Sequence, residues 1–385
     1  MPTIIGIDVS KSSSSYHVLS STNGEGFKGS FSMDAAGFTS LLDRTKTLSN
    51  PRFIMESTGR YHITLANHLL QHDHVPFIVN PVLVKQFSKT VTLRKTKTDA
   101  VDAYTIAYFG LQHPKALAHA GRPMDDERLS IARRREQVAE DIATAKTQLK
   151  GDLAVAFPEV LDLYVFTLSM LTVLSRFPSP SSILEASPEE IQSSLRGGRG
   201  RLSSVTIQTL KSLAASSVGV PSHAPLVADS AKHILILEER NKMLTKHLVE
   251  LVRITQEPEL EILTSIRGIG ETSAAHFLAE IGDISRFPRY QNLIAFCGTD
   301  PGIYQSGSSF KSGRITKRGS ASLRKYLYLM AQSTCNYNPY FKAYYDKKKA
   351  EGFSHRKAMV ALMNKLIRTI FALLTKKEKF IMPSM

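Results

Sequence analysis

Two apolar runs early in the chain each end on a carboxylate. The first is Ile4-Ile5-Gly6-Ile7-Asp8, continuing Val9-Ser10-Lys11; the second is Phe53-Ile54-Met55-Glu56, followed by Ser57-Thr58-Gly59. Apolar runs of this length that contain β-branched residues read as buried strands. Residues 15–20 and 27–33 read as two more, with Asn23-Gly24 as the turn between them, and 76–79 as a fifth. Helical patterns cover 35–48, 63–71 and 98–110. Three antiparallel-type strands followed by alternating helices and strands make a mixed α/β domain, with Asp8 projecting near the middle of its sheet.

A second acidic motif follows in Lys97-Thr98-Asp99-Ala100-Val101-Asp102-Ala103. Thr98 can cap the helix, and Asp99 and Asp102, at i and i+3, share one of its faces. Each acid has a structural reading by itself: Asp99 suits a helix N-terminus, and Glu56 precedes a turn. As a set on strand, strand and helix, the four read as ligands for divalent cations, Mg²⁺ or Mn²⁺. A pair of hard cations about 3.5–4 Å apart needs several oxygen ligands and stabilises both the attacking and the leaving oxygen of a phosphoryl displacement. Arg94, Lys95 and Lys97, just before the Asp pair, suit a phosphate backbone held against such a site.

Charge points the same way. The 385 residues carry a formal net charge of +15 and a pI of about 9.7, which favours a polyanionic partner. From Ser306 onward 17 Lys and Arg stand against 3 Asp and Glu, a net of +14, so nearly all the excess lies in the last 80 residues. Two cysteines, Cys297 and Cys335, provide neither a disulfide framework nor a zinc pattern. The N-terminus runs straight into a strand without a basic leader. The longest apolar helix pattern, Ala358 to Leu374, is broken by Lys365 and Arg368. The chain reads as a cytoplasmic protein of a reducing compartment, with no membrane partner.

Three domains are expected: 1–115 (the α/β unit with the four acids), 116–257 (helical, with an insert) and 258–385. In the middle region, 125–150 is charged and helical, with Arg133-Arg134-Arg135, and a second long helix covers 225–252. Loops at 178–182 and 197–200 separate short helices between them. Two readings stay open here, an antiparallel coiled-coil arm and an ordinary helical subdomain. In the last domain Ile266-Arg267-Gly268-Ile269-Gly270 lies between two helical patterns and resembles a helix-hairpin-helix, in which Gly268 and Gly270 let backbone N–H groups approach a phosphate. Helices are expected over 290–296, 320–334 and 354–376. The Gly- and Ser-rich stretch 298–319 reads as a loop containing Gln305-Ser306-Gly307-Ser308-Ser309. An exposed serine there needs a base, a cation or a metal to become a nucleophile, and Arg314, Lys317, Arg318 and Arg324 are placed to hold a scissile phosphate.

The order of the acidic motifs resembles the RNase H-like fold, in its RuvC-like branch. More narrowly, Gly6-Ile7-Asp8-Val9-Ser10-Lys11, Met55-Glu56-Ser57-Thr58-Gly59 and Lys97-Thr98-Asp99-Ala100-Val101-Asp102-Ala103 resemble the DEDD transposases of the insertion sequence 110 family, related to the Piv DNA invertases. The glycine hairpin, Gln305-Ser306-Gly307 and Thr316-Lys317-Arg318-Gly319 are similar to the C-terminal transposase domain of that family. The resemblance covers both ends of the chain well and the middle poorly. It implies that Asp8, Glu56, Asp99 and Asp102 are catalytic metal ligands. It further implies that Ser306 attacks DNA to form a phosphoserine link, with Ser308 and Ser309 as neighbouring alternatives. It implies a composite site shared between subunits, a tetramer (a dimer of dimers) built through the helical arm, and double-stranded target and donor DNA. A structured non-coding bridge RNA that selects them, in a bacterial, nucleoid-associated setting, also follows from the resemblance alone. Competing readings are a junction-resolving nuclease that uses metal-activated water, an actin-like ATPase or sugar kinase, and an architectural DNA-binding protein.

Overall fold

The computed structural model describes residues 3–20, 24–57, 59–91, 98–114, 117, 127–194, 204–306 and 309–382. The apolar runs form one five-stranded sheet. β1 (Thr3–Asp8) is central, flanked by β2 (Ser13–Ser20) and then β3 (Gly24–Ser32) on one side and by β4 (Pro51–Glu56) and then β5 (Phe77–Val79) on the other. β1–β2 and β2–β3 are antiparallel, whereas β1–β4 and β4–β5 are parallel. The parallel pairs need crossovers, which α1 (Ala35–Thr45) and α2 (Tyr61–Gln71) supply. The Asp34 carboxylate caps α1 by accepting from Gly37 N–H at 2.8 Å.

Strand alternation sends side chains to opposite faces of the sheet. Ile5, Ile7, Phe53 and Met55 pack with Phe38, Leu41, Leu65 and Leu69 on one side. Ile4, Ile54 and Val79 pack on the other with Val84 of α3 (Pro81–Val91) and with Ile106, Ala107 and Phe109 of α4 (Asp99–Gln112). The strand reading of the sequence anticipates this sheet; α3 it misses. That helix starts at Pro81, a residue suited to a first helical position, and Asn80 Oδ1 accepts from Val82 N–H at 2.9 Å.

Two compact units divide the chain, Met1–Asp126 and Glu127–Met385. In the second, α5 (Glu127–Ala156) lies along α10 (Ala224–Thr264). Partners rise in number on one helix as they fall on the other: Arg128 with Thr255, Arg135 with Thr245, Lys146 with Glu238, Asp152 with Ser230. The two helices are therefore antiparallel. Between them in sequence come α6 (Leu168–Arg176), α7 (Pro180–Glu185), α8 (Pro188–Ser193) and α9 (Ser204–Ala215). Their Leu171, Leu174, Ile183, Ile191 and Leu210 join one core with Leu149, Leu153, Ala231 and Ile234 of the long pair. α10 continues past the expected helix end at 252, with a kink at Gln256 (φ −148°, ψ 45°) two residues before Pro258.

The remainder is mostly helical: α11 (Glu271–Ile281), α12 (Tyr290–Cys297), α13 (Ala321–Tyr337), α14 (Pro339–Ala350) and α15 (His355–Lys376). Among the described residues α15 alone is long and apolar enough to span a bilayer. Its Leu362, Leu366, Ile367 and Ile370, all fully buried, face the C-terminal core with Leu263, Phe277 and Leu327. The stretch expected to be a loop is instead a hairpin, β6 (Pro301–Ser306) antiparallel to β7 (Ser309–Ile315), whose ladder closes with Ser306 opposite Ser309. Glycine and serine content suggested a loop, but the backbone ladder and the pinned base described below organise the segment.

Arg135 ties the long pair to this core. Its Nε donates to Thr245 Oγ1 at 2.6 Å, and its Nη1 donates to His276 Nε2 at 3.0 Å and to the Tyr326 hydroxyl. The His276 and Tyr326 rings stack, with centroids 3.9 Å apart. Burial first, then the charges of Arg135 and Lys325, lower the His276 pKa to about 3. The imidazole is thus neutral and free to accept from the guanidinium.

Candidate functional site

The first candidate site is one edge of the N-terminal sheet. Parallel register sets Ile7 beside Met55, so the next residues, Asp8 and Glu56, end adjacent strands together. Alternation sends Asp8 to the face of Ile4 and Gly6, and Glu56 to the face of Ile54. That is the face α4 covers, because a Cβ at Gly6 would overlap the Ala107 nitrogen and the Ala103 carbonyl oxygen, and one at Gly110 would meet Ile54 and Ile4.

These contacts also fix the direction of α4. Gly110 lies over Ile4 and Ile54, and Ala103 and Ala107 lie over Gly6, so the helix runs antiparallel to β1 and its first turn heads toward Asp8. The distances agree. From Gly6 to Asp8 is about 7 Å of strand, and from the Ala103–Ala107 midpoint back to the Asp99–Asp102 midpoint is about 7 Å of helix. Thr98 opens α4 in extended conformation (φ −141°, ψ 151°), and its Oγ1 accepts from Val101 N–H at 3.3 Å. Asp8, Glu56 and Asp102 are half-buried, while Asp99 is exposed.

Four carboxylates with no thiol or imidazole among them are the donor chemistry of a hard divalent cation. Their side chains share an edge without closing around a point. Among the described residues no three of His, Cys, Asp and Glu stand close enough to hold an ion. Arg94, Lys95 and Lys97 lie outside the described residues, as does Ser308.

The second candidate site is the β6–β7 hairpin. Ser306 is the last residue of β6 and Ser309 the first of β7. For these two and for Arg314 the backbone is described and the side chain is not. The base of the hairpin is pinned. Thr316 Oγ1 donates to Asp300 Oδ1 at 2.6 Å, and Thr316 N–H donates to the Asp300 carbonyl at 3.0 Å. Thr299 Oγ1 donates to Asn364 Oδ1 of α15 at 2.7 Å. Lys317 and Arg318 are exposed directly after the hairpin. Lys317 has φ of +55°, a left-handed conformation that costs a non-glycine residue on the order of 1 kcal/mol and that its N–H bond to the Gly298 carbonyl at 3.1 Å helps hold.

Arg324 differs from its basic neighbours. Its Nη1 donates to the Cys297 carbonyl at 3.1 Å, at the C-terminus of α12, where a cation suits the helix dipole. Sequence reasoning missed the pinning residues Thr299, Thr316 and Asn364. Asp300 falls within the stretch 298–319 and Thr316 opens the motif Thr316-Lys317-Arg318-Gly319, but no local signal announces that they meet.

The glycine turn joins α10 to α11. Gly268 is required twice over, by φ of +104° and by a Cβ that would come 2.9 Å from Ser333 O and Thr334 Cα of α13. A Cβ at Gly270, just before α11, would meet nothing within 4 Å. Arg267 and Gly270 are exposed, so the open side of the turn offers backbone and a cation.

Comparison with known proteins agrees with both ends of the chain. Residues 5–158 match the family model of DEDD transposases of the IS110 type, described as "Transposase". Residues 260–346 match the family described as "Transposase IS116/IS110/IS902 family". The chain is 23% identical to the insertion element IS116 uncharacterized 44.8 kDa protein of Streptomyces clavuligerus, covering 98% of this chain and 95% of that one. It is 23% identical to the pilin gene-inverting protein of Moraxella lacunata, over 98% of this chain and 97% of the relative. The insertion element IS110 uncharacterized 43.6 kDa protein of Streptomyces coelicolor is 26% identical, over 73% and 71%.

Proposed function

We propose a reaction for this chain from one premise: it belongs to the IS116/IS110/IS902 family of transposases, enzymes that cleave DNA and exchange its strands. In our reading the N-terminal unit is an RNase H-like domain of the RuvC type, and Asp8, Glu56, Asp99 and Asp102 would hold Mg²⁺ or Mn²⁺ beside a DNA phosphate. A divalent cation supplies a Lewis acid that offsets charge developing on phosphoryl oxygens. The observation that carries this reading is the antiparallel docking of α4 on β1, which turns Asp99 and Asp102 toward the edge where Asp8 and Glu56 end their strands.

Ser306 is the proposed nucleophile. Its Oγ attacks the scissile phosphorus and gives up its proton, the P–O bond to one end of the broken strand cleaves, and the departing oxygen is protonated. The phosphoserine ester keeps the phosphate activated for rejoining to a second strand. Arg314, Lys317 and Arg318 hold the phosphate, the open side of the Gly268–Gly270 turn contacts backbone phosphate, and Arg324 acts by holding the base of the hairpin. Arg94, Lys95 and Lys97 would grip phosphate beside the carboxylates. A coiled-coil arm, a tetramer with composite sites, target and donor DNA, and a bridge RNA complete the reading as the family resemblance implies it.

The test is covalent trapping. Wild-type protein incubated with substrate DNA should give an adduct that survives denaturation. It should disappear in Ser306→Ala and in Asp8→Asn, and peptide mapping should find the nucleotide on Ser306 rather than on Ser308 or Ser309. Cutting that needs Asp8 but leaves no adduct would replace this reading with a nuclease using activated water. Sequencing co-purified nucleic acid tests the RNA: a single defined species supports guidance, and random fragments refute it.

A further inference from the structure

The turn between α14 and α15 concentrates positive charge that, Lys348 apart, pairs with no carboxylate among the described residues. α14 ends in Lys347-Lys348-Lys349, and α15 begins His355-Arg356-Lys357. Lys348 is spent on Glu351 at 2.6 Å. Among the described residues no carboxylate pairs with Lys347, Lys349, Arg356 or Lys357, and all four are exposed. Lys349 Nζ donates to the Phe353 carbonyl at 3.1 Å, and Lys357 Nζ stands 4.2 Å from the centre of the Phe353 ring, so the turn gathers both cations. His355 is occupied by the Tyr345 hydroxyl at 2.8 Å.

Only part of this charge serves the fold. Lys347 and Lys349 suit the C-terminal end of the α14 dipole, whereas Arg356 and Lys357 in the first turn of α15 oppose the dipole there. Nor is the elbow built to enter a membrane, which needs an apolar face beside the cations; the apolar face of α15 lies in the core. Exposed cations grouped around a single half-buried ring, Phe353, suit phosphate oxygens. The elbow also lies beyond residue 346, where the matched family segment ends.

We infer that the α14–α15 elbow, through Lys347, Lys349, Arg356 and Lys357, grips the sugar-phosphate backbone of bound nucleic acid at a place separate from the serine hairpin. The inference rests on the nucleic-acid reading given above and adds a positioning surface to it. Each cation on a phosphate of duplex DNA releases about 0.9 counterions, so four should contribute about 3 to 4 to the slope of log affinity against log salt.

The experiment compares three full-length proteins by fluorescence anisotropy over a salt series. They are wild type, the elbow variant (Lys347→Gln, Lys349→Gln, Arg356→Gln, Lys357→Gln), and a control with equal charge loss on the long helices (Lys150→Gln, Lys232→Gln, Lys242→Gln, Lys246→Gln). The elbow variant should lose about 3 of slope and the control less than about 1, with melting temperatures unchanged. Parallel titrations with duplex DNA and with a folded RNA show which backbone is held. Equal slopes in the two variants would overturn the inference while leaving the proposed function intact. So would an elbow variant that loses binding only to phosphatidylserine vesicles. A wild type that binds neither nucleic acid in a salt-dependent way would sink both.

Discussion

Replacing Gly6 by alanine tests the seat of α4 directly. The added Cβ would overlap the Ala107 nitrogen and the Ala103 carbonyl oxygen and come 2.7 Å from Ala107 Cα. All three are backbone atoms, so no rotamer change relieves them. Ordinary carbon contacts lie at about 3.5–4 Å, and α4 must therefore retreat from β1 by about 1 Å or more. Overpacking of this kind costs roughly 1–3 kcal/mol, which lowers the melting temperature by about 3 °C per kcal/mol. The functional cost is larger. A 1 Å shift of Asp99 and Asp102 away from Asp8 and Glu56 should slow DNA cleavage on the order of 100-fold.

Leu41→Ala is the matched control. Leu41 is fully buried on the opposite face of the sheet, and its truncation should cost about 2–5 kcal/mol through a cavity without moving α4. Single-turnover cleavage, measured well below both melting temperatures, separates the two effects. Gly6→Ala should be slow and Leu41→Ala near wild type. Equal rates in the two variants would refute the claim that the carboxylates depend on this docking, and a Gly6→Ala protein with wild-type stability would refute the docking itself.

Thr98→Ala removes the cap of α4 and should cost about 1 kcal/mol, with a larger fractional loss of cleavage than of stability, read by urea midpoint and rate. Gly151→Ala, inside α5 and with open space where its Cβ would go, should stabilise the protein by about 0.8–1 kcal/mol; a lower urea midpoint would contradict the open surface. Because the His276 pKa is lowered from 6.5 to about 3, chiefly by burial and then by Arg135 and Lys325, its neutral form contributes stability that is complete above pH 6.5. That stability is lost as pH falls from 6.5 toward 3, by at most about 1.4 kcal/mol per pH unit. Urea midpoints of wild type and His276→Gln should converge on acidification; parallel curves would show that His276 is not held neutral.

Much of the N-terminal sheet is legible in the sequence because its signals are short-range. β-Branched runs, the alternation of Ile4, Gly6 and Asp8, and Thr98 before Asp99 each act within a few residues. α3 was legible in principle, for its residues divide into clear polar and apolar faces after a proline start. The hairpin escapes because glycine and serine suggest a loop, while the Asp300–Thr316 and Thr299–Asn364 bonds that brace it join residues 16 and 65 apart in sequence. Arg135 reads as one member of a charged run until His276, Tyr326 and Thr245 surround it.

By itself the sequence determined that two strands end in carboxylates, that two more acids share a helical face, and that positive charge gathers near the C-terminus. These follow from residue order and from the periods of strand and helix. Tertiary structure alone decided which way α4 runs across β1, and hence that Asp99 and Asp102 turn toward Asp8 and Glu56. It also separated Arg324, committed to the end of α12, from the exposed Lys317 and Arg318. Both outcomes depend on where backbones far apart in the chain come into contact, at Gly6 against Ala107 and at Arg324 against Cys297, and no local pattern encodes such contacts.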